Sequence, residues 1–124
     1  MSRLLIVDDE PVVLELLSIM VSRELPEVVV DTVGSPEAAL GQLARTRYDA
    51  IVTDIVLSHA SGLELMDRML ALSPGTPVIL MTGLPALITP EYMRRASGVL
   101  TKPFLPSEFR ETVRQALQQA NEPR

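Results

Sequence analysis

Hydrophobic residues along this chain form short continuous runs, separated by longer segments in which apolar residues recur at helical spacing. Continuous apolar runs, unlike alternating ones, are typical of strands that are buried on both faces of a sheet. A strand followed by a helix, repeated five times, predicts an α/β domain with parallel strands and right-handed crossovers. The predicted strands are residues 4–7, 28–30, 50–53, 78–81 and 99–101.

Four of the helical segments have clear sequence signals at their ends. The second begins with a capping residue, Ser35, followed by Pro36 in the first turn and Glu37 near the positive end of the helix dipole. The fifth follows Pro106 and keeps apolar residues on one face as far as Ala120. The four predicted helices are residues 12–25, 35–43, 62–73 and 106–120.

Five polar residues lie at or just beyond the ends of the predicted buried strands. Asp8 and Asp9 follow the first strand, and Asp54 follows the third. Thr82 follows the fourth strand, and Lys102 follows the fifth. The carboxyl ends of parallel strands meet at one edge of the sheet, which is where ligands bind in open α/β folds. We therefore expect these five side chains to gather at one site.

Carboxylates gathered in this way repel one another, by about 4 kcal/mol for two unit charges ~4 Å apart at an effective dielectric of about 20. A Mg²⁺ ion would offset the repulsion through oxygen ligands from Asp9 and Asp54, with Asp8 binding directly or through water. It would also neutralise an incoming phosphoryl group. Lys102 suits a phosphate oxygen, Thr82 offers a hydroxyl donor, and one carboxylate could be the nucleophile.

The composition of the chain argues against several classes of protein. A length of 124 residues fits one domain with one core, and only two Phe and two Tyr make that core aliphatic. The net charge of −5 argues against nucleic-acid binding by this domain itself. The absence of cysteine excludes disulfides, thiolate metal sites and a cysteine nucleophile. No signal peptide and no apolar stretch of about 18 residues is present, so we expect a cytoplasmic protein that does not span a membrane.

Four segments of the chain, in order, resemble the receiver domain of two-component response regulators. They are I-V-D-D-E-P, V-T-D-I-V-L-S-H-A-S-G-L-E-L, P-V-I-L-M-T-G and L-T-K-P-F. Each motif alone is weak, but four of them at successive strand ends are specific. The resemblance covers essentially the whole chain, with a receiver domain over residues 1–120 and a tail or excised linker over residues 121–124.

The resemblance implies a flavodoxin-like (βα)5 fold with strand order 2-1-3-4-5, a Mg²⁺ cofactor and a cis Lys102–Pro103 bond. The implied partner is a sensor histidine kinase or phosphotransfer protein that phosphorylates the domain, which is not otherwise an enzyme. A C-terminal output domain and a homodimer both stay open. The implied site consists of Asp54 as phosphoacceptor, Thr82 as switch hydroxyl, Lys102 as phosphoryl contact, and Asp8, Asp9, Asp54 and the backbone carbonyl of Val56 as metal ligands.

The chain departs from the receiver pattern at one prominent position. Receivers usually carry Tyr or Phe three residues before the lysine, whereas this chain has Val99. Pro85 and Pro90 also predict a short or displaced fourth helix, because proline is hostile to a helix interior. We therefore expect a blunted switch and a non-standard output surface. Neither Val56 nor Leu84 can hold an attacking water by its side chain, which predicts slow self-dephosphorylation.

The residues of this chain give less support to three other functions. A phosphatase with an aspartate nucleophile would want a second Asp two residues later, where Val56 stands, and a cap domain. A flavin- or nucleotide-binding domain would need a Gly- or Ser/Thr-rich phosphate loop after the first strand, but Asp-Asp-Glu-Pro would repel phosphate. A receiver-like interaction module that is not phosphorylated remains the alternative, because Val99 leaves room for it.

Several residues also have ordinary structural explanations. Asp8 and Asp9 could cap the first helix in addition to binding metal. His59 fits a solvated loop residue. The methionines Met66 and Met69 fit core positions, and Arg94-Arg95 fits a solvated helix end.

Overall fold

The helices and strands follow one another in the predicted order. In the computed structural model, residues 2–55 and 62–120 are described. The strands are β1 (Arg3–Val7), β2 (Val29–Val33), β3 (Ala50–Asp54), β4 (Val78–Thr82) and β5 (Gly98–Thr101). The helices are α1 (Pro11–Glu24), α2 (Pro36–Arg45), α3 (Gly62–Leu72), α4 (Pro90–Arg95) and α5 (Pro106–Ala120), with a 3₁₀ turn at Pro85–Leu87 before α4.

All five strands are parallel and lie in the order β2-β1-β3-β4-β5. This confirms the predicted flavodoxin-like topology. The register pairs Val7 with Thr53, Asp54 with Met81, and Thr82 with Thr101. The carboxyl ends of β1, β3, β4 and β5 therefore stop at one level, and the residues that follow them share one edge of the sheet.

Two apolar cores lie on opposite faces of the sheet. This confirms the prediction that the continuously apolar strands are buried on both faces. Leu4 and Ile6 point to the face covered by α1 and α5, and Leu5 and Val7 point to the face covered by α2 and α3. All four side chains are fully buried. The predicted core positions Met66 and Met69 of α3 are buried in the second core.

Proline stands at the first residue of most helices, where its missing N–H and fixed φ carry no penalty. α2 also has the predicted cap, because the Ser35 hydroxyl accepts a hydrogen bond of 3.1 Å from the N–H of Ala38. α3 instead begins with Gly62. The helices α1, α2, α4 and α5 begin with Pro11, Pro36, Pro90 and Pro106.

The fourth helix is short, as Pro85 and Pro90 predicted. Each proline starts its own segment, so the chain between β4 and β5 is split into a 3-residue turn and a 6-residue helix. The cis Lys102–Pro103 bond is also confirmed. None of the helices in the described ranges is long and apolar enough to cross a membrane.

The position of β2 and the buried face of α1 differ from the sequence prediction. β2 covers Val29–Val33, later than the predicted 28–30, because it is an edge strand whose polar Asp31 and Thr32 pair with β1. On α1 the apolar pattern is wider than the buried face. Leu17 and Val21 are buried, but Leu16 is 58% exposed.

Tyr48 ties β3 to the edge strand and supplies a testable pH dependence. Its hydroxyl donates a 2.6 Å hydrogen bond to Asp31 Oδ2, which also accepts one from Arg3 Nε. Burial, followed by the hydrogen bond and charge of Asp31, raises the pKa of Tyr48 from 10.0 to about 12. The stability that comes from this shift is complete below pH 10 and is lost as the pH rises to about 12.

Tyr48→Phe is expected to lower the free energy of unfolding at pH 7 by about 1.5 kcal/mol, since one hydrogen bond to a charged group is lost. The variant should lose less stability than the natural protein as the pH rises from 10 to about 12. Urea unfolding at pH 7 and across this alkaline range measures both effects. Equal stability at pH 7 with the same alkaline loss would show that the Tyr48–Asp31 bond contributes nothing.

Candidate functional site

The carboxyl edge of the sheet brings an aspartate pair and a lysine into direct contact. Lys102 Nζ donates hydrogen bonds to Asp54 Oδ2 at 2.8 Å and to Asp8 Oδ2 at 3.1 Å. Asp8 follows β1, Asp54 ends β3 and Lys102 follows β5, so three separate strands meet here. Three of the five predicted site residues are thus joined in one ion-paired group.

The lysine neutralises part of the charge of the two carboxylates. Burial by itself would lower the pKa of Lys102, but the hydrogen bonds and charges of Asp54 and Asp8 outweigh it and raise the pKa above its ordinary value of 10.5. The side chain is therefore a fixed cation, 26% exposed, between two carboxylates that are less exposed still. A group that binds between Lys102 and Asp54 would meet a preformed positive charge.

Asp8 is buried in the site, and the prediction that Asp8 and Asp9 cap α1 is wrong. The residue at the cap position is Glu10, and no side chain caps the helix. Asp8 Oδ1 instead accepts a 2.9 Å hydrogen bond from the N–H of Glu10, and Asp8 Oδ2 faces Lys102. Pro11 in the first turn lessens the need for a cap, because it has no N–H to satisfy.

Three consecutive acids form a compact oxygen cluster beside this group. Carboxylate oxygens of Asp8, Asp9 and Glu10 lie within 4.8 Å of one another. Asp8 is buried, whereas Asp9 and Glu10 are exposed. Glu10 was not predicted as a site residue, although its position after Asp8-Asp9 at a strand end was the available signal. An all-carboxylate oxygen set suits a hard divalent cation such as Mg²⁺.

Thr82 lies at the same edge, and its hydrogen bonds run to the loop before α4 and to the backbone of Lys102. Its hydroxyl oxygen accepts a 2.9 Å hydrogen bond from the N–H of Leu84, and its backbone carbonyl accepts a 2.7 Å bond from the N–H of Lys102. The hydroxyl proton remains on an oxygen that has already accepted one bond, so it can be donated to a new acceptor. Thr82 therefore links the loop before α4 to the lysine backbone.

Thr53 is a further polar residue that sequence reasoning missed. It is 1% exposed, and its hydroxyl donates a 3.0 Å hydrogen bond to the backbone carbonyl of Asp54. Threonine is common in strands, so the sequence gives no signal that this hydroxyl binds the backbone of Asp54. Val56 and His59 lie outside the described residues.

The fold and this edge define a class of protein: a doubly wound α/β domain whose strand ends hold an acidic, lysine-paired site. The protein-family model of the response regulator receiver domain matches residues 4–114 of this sequence. The chain therefore belongs to the response regulator receiver family, and it is a signalling receiver domain.

Similar proteins agree with this assignment. The chain is 34% identical over 102 residues to the probable transcriptional regulatory protein TcrX of Mycobacterium tuberculosis, covering 81% of this chain and 43% of that protein. It is 33% identical over 123 residues to the heme response regulator HssR of Staphylococcus saprophyticus, covering 98% of this chain and 54% of HssR. The chain thus spans about half the length of these curated relatives.

Solved structures share the fold closely. The response regulator TrrA of Thermotoga maritima, in complex with Mg²⁺-BeF, has a TM-score of 0.80 at 30% identity, covering 94% of this chain and 99% of TrrA. A receiver domain of a sensor histidine kinase from Pseudomonas aeruginosa, with a magnesium ion in its active-site cleft, has a TM-score of 0.82. The P. aeruginosa domain is 22% identical to this chain, and the match covers 94% of this chain and 98% of that domain. At this identity the similarity shows the fold alone.

Proposed function

We propose that this receiver accepts a phosphoryl group on Asp54 from a sensor histidine kinase or a phosphotransfer protein. The observation that carries the proposal is the pairing of Asp54 and Asp8 with Lys102 at the carboxyl edge of the sheet. A carboxylate held there has a nucleophilic oxygen, and the adjacent ammonium matches the charge that a phosphoryl group brings.

The proposed transfer conserves atoms and charge. An Asp54 carboxylate oxygen forms a bond to phosphorus, and the bond from phosphorus to the donor histidine nitrogen breaks. The imidazole leaves with the electron pair of that bond and takes up a proton from solvent. Lys102 holds the phosphoryl oxygens, and the Thr82 hydroxyl donates its proton to one of them as a hydrogen bond.

The acid cluster fits a magnesium ion, and the T. maritima response regulator TrrA, at 30% identity, was solved in complex with Mg²⁺-BeF. We propose Asp8, Asp9, Asp54 and the backbone carbonyl of Val56 as its ligands, with Glu10 as a neighbour in the same cluster. When bound, Mg²⁺ would neutralise charge on the transferring phosphoryl group. Asp8 has the further task of keeping Lys102 in place, since it contacts the same ammonium as Asp54.

Exposed apolar residues near the site support docking of a helical phosphodonor. Val12, Leu16 and Ile19 are spaced four and three residues apart along α1 and are 67%, 58% and 44% exposed. This stripe begins two residues after the acid cluster. Leu105, 62% exposed, precedes α5, which packs beside α1. Such anchors at helical spacing suit the apolar face of a partner helix.

Both curated relatives are longer than this chain, which covers 43% of TcrX and 54% of HssR. We propose a receiver domain over residues 1–120 with residues 121–124 as a tail or the start of a linker, and both a stand-alone receiver and one joined to a C-terminal output domain stay open. Some relatives are protein-glutamate methylesterases, but the chain covers only 23% of the one in Anaeromyxobacter dehalogenans. We propose that this domain catalyses only its own phosphorylation and dephosphorylation. The expected cytoplasmic location stays a prediction.

Intact mass after incubation with acetyl phosphate tests the proposal. A gain of one phosphoryl group that requires Mg²⁺ and is lost in EDTA is the expected result. If no gain occurs, the same measurement with a phosphorylated phosphotransfer protein as donor follows. Failure with both donors, while Mg²⁺ still binds, would contradict phosphorylation and favour the interaction module that is not phosphorylated.

The phosphorylated domain is expected to lose its label slowly. Leu84 and Val56 occupy the positions two residues after Thr82 and Asp54, and neither side chain can hydrogen-bond an attacking water. Leu84→Asn adds such a group at an exposed position, so it should shorten the lifetime of the phosphorylated protein. Mass spectrometry over time after removal of the donor measures both lifetimes. Rapid loss of label from the natural protein without a phosphatase would contradict this prediction.

A further inference from the structure

Residue 99 is Val, so the aromatic ring that usually moves with the switch hydroxyl is missing from β5. A different aromatic residue, Tyr92 of α4, packs against the apolar core on that side of the sheet. Val99 packs against the same core, which also contains Ile55, the residue that follows Asp54. The other tyrosine in this core, Tyr48, precedes β3 and so lies at the opposite end of that strand from Asp54, whereas Tyr92 comes from α4.

Tyr92 makes a close contact with the start of α3. A Cβ atom placed on Gly62 would collide with the Tyr92 hydroxyl, would lie 3.2 Å from Tyr92 Cε1, and would lie 2.8 Å from the backbone carbonyl of Ile55. The Tyr92 ring, the first residue of α3 and the residue after the phosphoacceptor thus converge on one point. Gly62 is needed there because any side chain would displace the ring or the backbone.

A second contact joins the same two helices. The Arg95 guanidinium binds both carboxylate oxygens of Asp67 on α3, and it also donates to the carbonyl of Glu91 in its own helix. Arg94, the preceding residue, pairs with Glu91 inside α4 and does not reach α3. Two of the six residues of α4, Tyr92 and Arg95, thus contact α3.

We propose that Tyr92 and Arg95 couple α4 to the phosphoacceptor site through the start of α3, in place of the aromatic residue missing at position 99. This inference rests on the proposed phosphorylation of Asp54. The contacts coexist with Lys102 bound directly to Asp54 and with Thr82 bound to Leu84, which is the geometry of an unmodified carboxylate. A phosphoryl group on Asp54 would displace Lys102 and move the Asp54–Ile55 backbone, and the Tyr92–Gly62 contact would loosen.

Coupling between two sites is reciprocal, so it can be measured from either end. If modification of Asp54 loosens the contact between α3 and α4, then loosening that contact by mutation must strengthen binding of a phosphoryl analogue at Asp54. A merely structural role for Tyr92 and Arg95 would lower stability without strengthening any binding. The sign of the change in affinity therefore separates the two roles.

The first experiment uses the two tyrosines of the natural protein as reporter and internal control. Ring signals of Tyr92 and Tyr48 are recorded by NMR in Mg²⁺, with and without beryllofluoride, while ¹⁹F signals report whether beryllofluoride is bound. The expected result is a shift of the Tyr92 signals only, since Tyr48 lies at the opposite end of β3. Bound beryllofluoride with an unchanged Tyr92 would overturn the inference and leave the proposed function standing.

Absence of bound beryllofluoride, together with failure of phosphorylation by both donors, would overturn the proposed function and this inference with it. The two failures are thus distinguishable, because site occupancy is read from fluorine and the helix contact is read from the Tyr92 ring.

The second experiment compares matched arginine variants. Arg95→Gln removes the ion pair with Asp67 of α3. Arg94→Gln removes the ion pair with Glu91 within α4, and both variants lose one positive charge. We expect Arg95→Gln to bind Mg²⁺-beryllofluoride about 2- to 5-fold more tightly, in keeping with one partly exposed ion pair, and Arg94→Gln to match the natural protein. Tyr92→Leu should act in the same direction, and Tyr92→Phe should show how much depends on the hydroxyl. Unchanged or weaker binding by both Arg95→Gln and Tyr92→Leu would overturn the inference.

Discussion

Replacement of Asp54 by asparagine is expected to abolish phosphorylation completely while the domain stays folded. The amide has no carboxylate oxygen to attack phosphorus, so no acyl phosphate can form. It keeps the size of the side chain and can still accept a hydrogen bond from Lys102, whose second partner, Asp8, remains. Intact mass after incubation with acetyl phosphate and Mg²⁺ measures the loss, and circular dichroism checks the fold.

Asp49→Asn provides the matched control for this variant. Asp49 precedes β3 and Asp54 ends it, so the two substitutions make the same chemical change at opposite ends of one strand. Asp49 accepts a hydrogen bond from the backbone N–H of Arg3, far from the carboxyl edge. The control should be phosphorylated like the natural protein. A mass gain in Asp54→Asn that equals that of the control would show that another residue is the acceptor.

Lys102→Met is expected to lower the free energy of unfolding at pH 7 by about 3 kcal/mol in the absence of divalent cation, because it removes the ammonium that pairs with buried Asp8 and half-buried Asp54. Asp8 is fully buried, so water cannot replace the lost charge. Mg²⁺ should restore more stability to the variant than to the natural protein, since the ion would then be the main positive charge at the site. Urea unfolding with Mg²⁺ and with EDTA measures the difference.

The pH dependence provides a second readout for the same variant. The pKa of Lys102 is raised in the folded protein above its ordinary value of 10.5. Its pairing therefore contributes stability that is complete below that value and is lost as the pH rises through the higher folded value. Lys102→Met should lack this part of the alkaline loss. If the variant were as stable as the natural protein without cation, the carboxylates at the site would not depend on Lys102.

The sequence was sufficient for the fold because the strands are buried on both faces. Runs such as Leu4–Val7 must be apolar at every position, so their location and their ends are readable directly. The ends in turn located Asp8, Asp54 and Lys102, and the parallel topology brought them together. The short α4 was predictable for a similar reason, because proline cannot lie in a helix interior.

Contacts between side chains on different helices were beyond sequence reasoning. Nothing in a lone glycine shows that the ring of Tyr92 lies against Gly62, since many glycines occupy turns. The role of Asp8 was misjudged in part because aspartate before a helix is usually a cap, whereas here burial and the Lys102 contact decide its orientation. β2 was placed too early because an edge strand tolerates Asp31 and Thr32, which interrupt the apolar pattern.

The prolines at the helix starts also affect the unfolded chain. A proline removes backbone freedom that the unfolded chain would otherwise have, so Pro11, Pro36, Pro90 and Pro106 lower the entropy lost when the preceding junctions fold. α3 begins with Gly62, and glycine loses more backbone entropy on folding than any other residue. The start of α3 therefore lacks the entropic advantage that proline gives to the starts of the other four helices.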